Sequence, residues 1–311
     1  MDALIWNIRS VNTQQAFERL IKMHRKNNYE FIGLMEPMQP ARTLERYRSR
    51  IGFAQAIANV SNKIWAFIDE VYEVTVVYNL VQQLTLRLLH TESHFEFVLT
   101  LVYAKCDVIE RIELWDSLYY LAQNMTVPWL VGGDFNVIWD EEEKFGGLPV
   151  SLNEIDDFRH WINTCNLIDL GFKGSIFTWW NGRAEEDCIF KRLDRCVANT
   201  EFQQAFPGIE VQHLPKIGSD HSPLQIKCDI ETPLVKKPFR FLNFWVDHAS
   251  FKEVKLKKVL TGWSKETFGD IFQKIASLEK VVLVHEAEFE ANPTKLNRQR
   301  LQKVQAELIK F

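Results

Sequence analysis

The chain has 311 residues, of which 46% are hydrophobic, and a formal net charge of −4. Apolar residues are spread along most of the chain, so it can bury a large core, which excludes an intrinsically disordered protein. No run approaches the ~18 consecutive apolar residues of a membrane span, and no signal-peptide pattern opens the chain. The five cysteines include no Cys-x-x-Cys pair, which disfavours a disulfide framework or zinc ribbon and predicts an intracellular protein with no membrane partner.

The charge is distributed unevenly. Residues 1–230 hold 22 Lys/Arg against 31 Asp/Glu, a balance of −9, whereas residues 231–311 hold 15 against 10, a balance of +5. An acidic body can still act on DNA when bound cations neutralise its active-site carboxylates. The basic tail is typical of a solvated helix face.

Hydrophobic periodicity predicts mixed strands and helices in the first 230 residues. The predicted strands are residues 4–8, 31–35, 54–59, 64–68, 71–78, 83–89, 95–103, 127–131, 177–180, 192–197 and 223–230. The predicted helices are residues 13–26, 109–123 and 152–163. This order predicts an α/β sandwich of two sheets flanked by helices.

The tail carries apolar residues at helical spacing. They form two stretches that are separated near Asn292-Pro293, namely Ile271, Ile275, Leu278, Val282 and Phe289, followed by Leu296, Leu301, Val304 and Leu308. The spacing predicts an amphipathic helical hairpin or a coiled coil. The hairpin either packs on its own domain or, as we favour, connects to an absent partner. Its apolar stripe would also support self-association.

The most informative stretch is residues 129–136, where an apolar run leads into Gly132-Gly133 and then Asp134 and Asn136. Residues i and i+2 that leave a strand point the same way, so Asp134 and Asn136 are expected to converge at the sheet edge. A carboxylate can bind a metal or orient water, and a carboxamide can donate to a phosphate oxygen.

Polar residues also follow or precede other predicted strands. They are Asn7, Glu36, Tyr103, Asp194, Asp220 and His221. Each alone has a simpler explanation as a cap, a turn former or a surface charge. Because six segments agree in order, we expect these side chains to assemble one site on a rim of the sandwich.

This order of motifs resembles the endonuclease/exonuclease/phosphatase superfamily, the fold of pancreatic deoxyribonuclease and of abasic-site endonucleases. The resemblance runs from residue 7 to about residue 230. The pieces that carry it are Trp6-Asn7-Ile8-Arg9, Leu34-Met35-Glu36-Pro37, Val102-Tyr103-Ala104, Gly133-Asp134-Phe135-Asn136, Arg192-Leu193-Asp194-Arg195 and Ser219-Asp220-His221-Ser222-Pro223.

Three further pieces resemble the N-terminal endonuclease domain of plant LINE-type (non-LTR) retrotransposon polyproteins. They are Glu143-Lys144-Phe145-Gly146-Gly147, Leu167-Ile168-Asp169-Leu170-Gly171-Phe172 and Phe177-Thr178-Trp179-Trp180-Asn181. The resemblance implies a deoxyribonuclease-like, four-layered sandwich of two mixed β-sheets flanked by helices in residues 1–230. Residues 231–311 would then be a linker and an amphipathic helical connector.

The same resemblance implies hydrolysis of a phosphodiester in double-stranded DNA, with Mg²⁺ or Mn²⁺ as cofactor. It makes Glu36 a metal-binding carboxylate, with Asn7 and Asp220 completing the metal or phosphate contacts. Hard oxygen ligands of this kind suit Mg²⁺. A nuclear location follows from such a substrate.

The resemblance also implies roles for the other polar residues. Asp134 would orient or deprotonate the attacking water, and Asn136 and Tyr103 would hold the scissile phosphate. His221 would stabilise charge on a phosphate oxygen, with Asp194 fixing its ring and keeping it protonated.

Departures from neighbouring families narrow the prediction. Tyr103-Ala104-Lys105 lacks the Asn that follows the Tyr in some abasic-site enzymes, and Leu193-Asp194 lacks the Trp-Cys of phosphoinositide phosphatases. Trp179 and Trp180 could stack on bases, but buried aromatics are the commoner case.

Three interpretations stay open: a DNA-nicking endonuclease derived from a retrotransposon, a catalytically unused remnant that acts as a nucleic-acid or protein interaction module, and a phosphatase of the same superfamily. No Tyr-x-Asp-Asp polymerase motif occurs. The chain is therefore not itself a reverse transcriptase. A reverse-transcriptase partner or self-association is expected to engage residues 264–311.

Overall fold

Two six-stranded sheets form the centre of the molecule in the computed structural model, which describes residues 1–150, 155–229 and 271–310. The strands are β1 (Asp2–Asn7), β2 (Phe31–Met35), β3 (Gln55–Ala58), β4 (Ile64–Ile68), β5 (Tyr72–Asn79), β6 (Gln83–His90), β7 (Glu96–Tyr103), β8 (Trp129–Asp134), β9 (Lys144–Phe145), β10 (Ile168–Asp169), β11 (Trp179–Trp180), β12 (Phe190–Lys191), β13 (Asp194–Ala198), β14 (Gly208–His213) and β15 (Leu224–Asp229). The helices are α1 (Gln14–Asn27), α2 (Leu44–Ile51), α3 (Val108–Gln123), α4 (Asp156–Thr164), α5 (Thr200–Ala205), α6 (Ile271–Ala291) and α7 (Lys295–Ile309).

Both sheets are mixed. The first has the strand order β14-β15-β1-β2-β4-β3, and the second has the order β10-β13-β8-β7-β6-β5. The pairs β1–β2 and β7–β8 are parallel, and the other pairs of the two sheets are antiparallel. A small third sheet, β11-β12-β9, lies beside them.

The layers follow from the alternation of side chains along each strand. In β1, Ala3 and Ile5 face the core between the sheets, whereas Leu4 and Trp6 belong to the outer core that includes residues of α1 and α2. A second outer core joins the other face of the second sheet to α3 and α4. Both faces of each sheet are therefore covered, and the predicted four-layered sandwich is confirmed.

Glycines in β8 bring the sheets close together. A Cβ on Gly132 would lie 2.5 Å from Ile5 Cδ1 of the opposite sheet. One on Gly133, where φ is +150°, would lie 2.7 Å from Met35 Cε of the opposite sheet and 2.0 Å from the Val102 carbonyl oxygen of the adjacent strand β7. The sequence prediction ended this strand before the glycines. The structure continues it through Asp134, because the glycines serve close packing within the strand.

Some of the observed elements were not predicted from the sequence. Helix α2 buries Leu44, Tyr47 and Ile51 at helical spacing, but its arginine-rich surface weakened the apolar signal. Helix α5 is a single short segment, and β14 is an edge strand that is only partly buried. The predicted helix at 152–163 appears as α4, and residues 151–154 lie outside the described part.

The predicted helical hairpin is present as α6 and α7. Thr294 caps α7, its hydroxyl oxygen accepting a hydrogen bond from the Asn297 N–H at 3.2 Å. The described part of the apolar stripe packs on the body, with Val282 and Phe289 in one core together with Phe190. The predicted linker, which begins at residue 231, lies outside the described residues. No helix in the described part is long and apolar enough to span a bilayer.

Candidate active site

Strand ends from both sheets meet at one rim. In the second sheet, the register places Asp134 between Tyr103 on one side and Asp194 on the other. In the first sheet, Asn7 ends β1, and Glu36 follows the end of β2. The rim thus carries two rows of polar side chains, one from the strand ends of each sheet, and the two rows face each other.

Asp134 joins the two rows. Its Oδ2 accepts a hydrogen bond from Asn7 Nδ2 at 2.9 Å, and its Oδ1 accepts one from the Asn136 backbone N–H at 3.0 Å. Burial and the nearby negative charge of Asp194 raise the pKa of Asp134 to about 7, although His221 and the two hydrogen bonds oppose the shift. A carboxylate with this pKa can take up a proton near neutral pH.

His221 lies between two carboxylates. Its Nδ1 is 2.8 Å from Asp194 Oδ2, and its Nε2 is 3.9 Å from Asp134 Oδ2. Burial alone would lower the pKa of His221, but Asp194 and Asp134 raise it to about 9. The imidazolium is therefore the favoured form at neutral pH. We call Asp134, Asp194 and His221 the histidine cluster.

The buried hydroxyl of Thr178 fixes the segment that carries Asp194. Its Oγ1 accepts hydrogen bonds from the backbone N–H groups of Leu193 and Asp194, both at 2.9 Å. Ser222 in turn donates its backbone N–H to the Thr178 carbonyl oxygen at 2.7 Å. One residue of the Phe-Thr-Trp motif thus contacts both segments that build the histidine cluster.

Glu36 and Asp220 share a positive charge. Arg9 Nη1 is 2.9 Å from Glu36 Oε2, and Arg9 Nε is 3.4 Å from Asp220 Oδ1. Tyr103 donates its hydroxyl hydrogen to Glu36 Oε1. Burial and this hydrogen bond raise the pKa of Tyr103, so its hydroxyl stays protonated. The Arg9 N–H also donates to Asn7 Oδ1 at 3.3 Å, which connects this group to the histidine cluster.

The structure therefore brings all eight predicted side chains to one rim. They are Asn7, Glu36, Tyr103, Asp134, Asn136, Asp194, Asp220 and His221. Asn136 differs from the expectation in one respect. Its carboxamide nitrogen donates to the Ala104 carbonyl oxygen at 2.7 Å, and its backbone has a φ of 50°, so the loop conformation already uses this donor.

Sequence reasoning missed three contributors to the rim. They are Arg9, Ser219 and Trp179, and all three occur inside motifs that were singled out. Ser219 Oγ donates to the Asn7 carbonyl oxygen at 2.8 Å, and Trp179 Nε1 donates to Asp220 Oδ2 at 3.0 Å. Only their position inside these motifs could have predicted that they lie at the rim, because an Arg, Ser or Trp does not by its type reveal which residue it hydrogen-bonds.

A second buried charge group lies next to the rim. Arg192 Nη1 is 2.8 Å from Glu143 Oε1, and Arg195 Nη1 is 2.9 Å from Asp169 Oδ2. Burial alone would raise the pKa of Asp169, but the two arginines hold it below its usual value. We call Glu143, Asp169, Arg192 and Arg195 the arginine cluster. It brings the Glu-Lys-Phe-Gly-Gly and Ile-Asp-Leu-Gly motifs to the strand that bears Asp194.

The family model described as Endonuclease/Exonuclease/phosphatase family matches residues 4–221. The chain belongs to the endonuclease/exonuclease/phosphatase family. No curated protein matches the chain. The matched region includes strands of both sheets, all but β15, and contains the whole rim from Asn7 to His221.

Solved structures share the fold of this endonuclease/exonuclease/phosphatase family member. The endonuclease domain of TRAS1, a telomere-specific non-LTR retrotransposon, is 16% identical, with a TM-score of 0.54 over 74% of this chain and 99% of its own. An AP endonuclease from Archaeoglobus fulgidus is 14% identical, with a TM-score of 0.58 over 74% and 100%. The 3′ phosphatase NExo from Neisseria, bound to a product DNA hairpin, is 14% identical, with a TM-score of 0.54 over 74% and 100%.

The family is hydrolytic and typically uses divalent metals, and the rim offers suitable donors. Glu36 and Asp220 already share one cationic group, the Arg9 guanidinium. In addition, Asp134, Asp194 and His221 each place a potential ligand atom within 4.8 Å of the others. Carboxylate and carboxamide oxygens are hard ligands, so the donor chemistry fits Mg²⁺ or Mn²⁺.

Proposed function

We propose that this chain is a metal-dependent phosphodiester hydrolase that nicks double-stranded DNA. The observation that carries the proposal is the buried histidine cluster beside the oxygen-rich group of Glu36 and Asp220. Such a site combines a base, a fixed cationic donor and carboxylates for a divalent cation. These are the groups that phosphodiester hydrolysis requires.

Asp134 is the base in this proposal. Its raised pKa lets it orient a water molecule and accept its proton as the water oxygen bonds to phosphorus and one P–O ester bond breaks. The departing ester oxygen takes up a proton from solvent. The protonated His221 donates to a non-bridging phosphate oxygen and stabilises the negative charge that develops there. Asp194 holds the imidazolium ring through Nδ1.

Glu36, Asp220 and Asn7 would hold the metal ion. When bound, the ion supplies positive charge that stabilises the phosphate oxygens. Arg9 can turn toward the substrate, because its side chain is 49% exposed. Tyr103 keeps Glu36 oriented and has its hydroxyl at the same rim, where it can also contact phosphate.

Duplex DNA is the proposed substrate because the TRAS1 endonuclease domain and a DNA-bound phosphatase share the fold. A chromosomal target would require a nuclear location. A reverse-transcriptase partner or a second copy of the chain remains a proposed partner of residues 264–311, whose α6–α7 hairpin packs on the body.

Nicking of supercoiled plasmid tests the proposal. The wild type should convert supercoiled to open-circular DNA with Mg²⁺ or Mn²⁺, and EDTA should stop the reaction. Asp134→Ala should abolish nicking, whereas Asp116→Ala, the same change at an exposed position of α3, should not. A folded wild type that fails to nick with either metal would contradict the proposal.

The same assay can be extended to the two alternatives. Release of inorganic phosphate from a 3′-phosphorylated oligonucleotide or a small phosphate ester, without nicking, would favour the phosphatase. DNA binding without hydrolysis of any of these substrates would favour a catalytically unused interaction module. The fold alone does not separate them, since nuclease and phosphatase neighbours have the same TM-score of 0.54.

A further inference from the structure

The C-terminal hairpin packs against the loop that leads into Ser219-Asp220-His221. Phe289 of α6 contacts the rings of Trp180 and Phe190 edge-on, with centroid distances of 5.2 and 5.6 Å. At the far end of the contact, Lys22 of α1 donates to the Ile309 carbonyl oxygen at 3.0 Å. The hairpin is therefore bound to the body at several separate points.

Lys216 is the centre of this contact, four residues before Asp220. The hairpin binds three parts of it: Glu286 Oε1 accepts the backbone N–H at 2.8 Å, Gln305 Nε2 donates to the backbone carbonyl at 3.0 Å, and Glu290 Oε1 pairs with Nζ at 3.0 Å. The Lys216 side chain is 7% exposed. Its backbone and its charge are thus both held by the helices.

Lys216 also contacts the segment behind the histidine cluster. Its Nζ donates to the Phe177 carbonyl oxygen at 2.9 Å, and Ser175 Oγ donates to Glu290 Oε1 at 2.6 Å. The residue after Phe177 is Thr178, whose hydroxyl oxygen accepts a hydrogen bond from the Asp194 backbone N–H. The hairpin therefore contacts the segment that carries His221 directly, and it contacts the segment of Asp194 indirectly, through Lys216 and the Phe177-Thr178 backbone.

The hairpin acts through these contacts and not by touching the reacting groups. A cavity of about 210 Å³ lies between the hairpin and the loop, and its lining includes Ser219 and Asp220 of the loop and Phe289 and Leu301 of the hairpin. Without Lys216 held in place, this cavity would give the loop room to move.

The hairpin lies outside the region that the family model matches, which ends at residue 221.

We infer that the α6–α7 hairpin is a positioning element of the active site, in which Glu286, Glu290 and Gln305 act through Lys216 to hold Asp220 and His221 in place. The inference rests on the proposed function for its kinetic consequence. It gives the hairpin a role within this chain, in place of the free connector that the sequence suggested.

Full-length variants on the hairpin test the inference. Glu290→Ala should lower kcat for plasmid nicking about tenfold while KM stays within about twofold, because misplacement of reacting groups affects the chemical step. Glu290→Gln keeps an oxygen acceptor and should recover most of the loss. Glu288→Ala, on the same helix and 49% exposed, is the matched control and should leave kcat unchanged.

Gln305→Ala removes a neutral contact and guards against a folding defect in the charged variant. Its control is Gln302→Ala, an exposed position of the same helix. In the metal-free protein, amide hydrogen exchange at His221 and Ser222 should accelerate in Gln305→Ala and Glu290→Ala only. These two amides donate to Ser219 Oγ and the Thr178 carbonyl in the wild type.

The exchange result separates this inference from the proposed function. If the wild type does not nick DNA but exchange accelerates in the two variants, the positioning role stands and the proposed function fails. Unchanged kcat and unchanged exchange in folded Glu290→Ala and Gln305→Ala would overturn the inference. A rise in KM alone would also overturn it and would make the hairpin a substrate-binding element.

Discussion

The histidine cluster and the arginine cluster meet at β13, which carries Asp194 of the first and Arg195 of the second, but their charges are arranged differently. The arginine cluster sets Arg192 and Arg195 against Glu143 and Asp169, so its formal charges cancel. In the histidine cluster, two carboxylates share one imidazole. Similar burial thus encloses a balanced group and an unbalanced one.

The pKa shifts record this difference. In the arginine cluster the pKa of Asp169 is lowered, because two guanidinium groups favour its charged form. In the histidine cluster the pKa of Asp134 is raised to about 7, because burial and Asp194 disfavour its charged form. Every formal charge of the arginine cluster is paired, whereas the unbalanced charge of the histidine cluster can bind a proton or a cation.

The largest expected effect is on activity in the histidine cluster. Asp134→Asn removes the proposed base and should lower the nicking rate by about 10²- to 10⁴-fold. The free energy of unfolding of the metal-free protein should not fall, because the substitution removes a buried carboxylate from beside Asp194. Nicking rates and urea unfolding measure the two effects. A large loss of stability would show that Asp134 belongs to the scaffold.

The arginine cluster should respond in the opposite way. Glu143→Gln leaves two buried arginines with one carboxylate and should lower the free energy of unfolding by about 3–5 kcal/mol. Its neighbour Glu142 is exposed, so Glu142→Gln is a matched control with little expected effect. Urea denaturation gives both values. Equal midpoints for the two variants would refute a structural role for the cluster.

Metal binding should distinguish Glu36 at the rim from Glu142, the exposed neighbour of the arginine cluster. A cation that binds only the folded state stabilises it by about 2.7 kcal/mol at 100 times its Kd. Mg²⁺ should therefore raise the melting temperature of the wild type and of Glu142→Gln, but not of Glu36→Gln, which removes a charged ligand. A full Mg²⁺ shift in Glu36→Gln would place the metal elsewhere.

The smallest expected effect comes from a comparison of two buried histidines, His213 and His221. His213 stacks on Phe172 with a centroid distance of 4.6 Å and has a pKa lowered to about 3, chiefly by burial. The Nδ1–H donates to the Ser175 carbonyl at 2.7 Å, and Nε2 has no hydrogen-bond partner among the described residues. His221 is equally buried but has two carboxylates.

His213 should therefore make stability depend on pH. The unfolded chain binds a proton at a pKa near 6.5, whereas the folded chain does not until about 3, so the stability is present above 6.5 and is lost as pH falls toward 3. The slope is at most about 1.4 kcal/mol per pH unit. His213→Gln should have a flatter urea-midpoint profile between pH 4 and 6.5, and an identical profile would contradict the assignment.

Much of the fold could be predicted because its signals are local. Predominantly apolar runs identified β2, β4 and β7, and helical spacing identified α1, α3 and the C-terminal hairpin. The elements that were not predicted include α2, whose arginines mask its apolar face, the short helix α5, and β14, an edge strand that is partly buried. The extent of β8 depended on packing of Gly132 and Gly133 against the other sheet, which local sequence does not reveal.

Local sequence patterns identified the residues that could carry the chemistry. Polar side chains at strand ends, from Asn7 to His221, identify a candidate site because a strand that leaves a sheet presents its next residues at the rim. The motifs around Asp134 and Asp220 further predicted the family, which the match over residues 4–221 confirmed.

Only the tertiary structure decided which of these charges are compensated and which are not. Pairing of Arg192 and Arg195 with Glu143 and Asp169, and of His221 with Asp194, joins residues between 23 and 52 positions apart in the chain. The same holds for the contact of α6 and α7 with Lys216. Electrostatic and hydrogen-bond energies depend on distance in space and on burial, and neither can be read from positions along a chain.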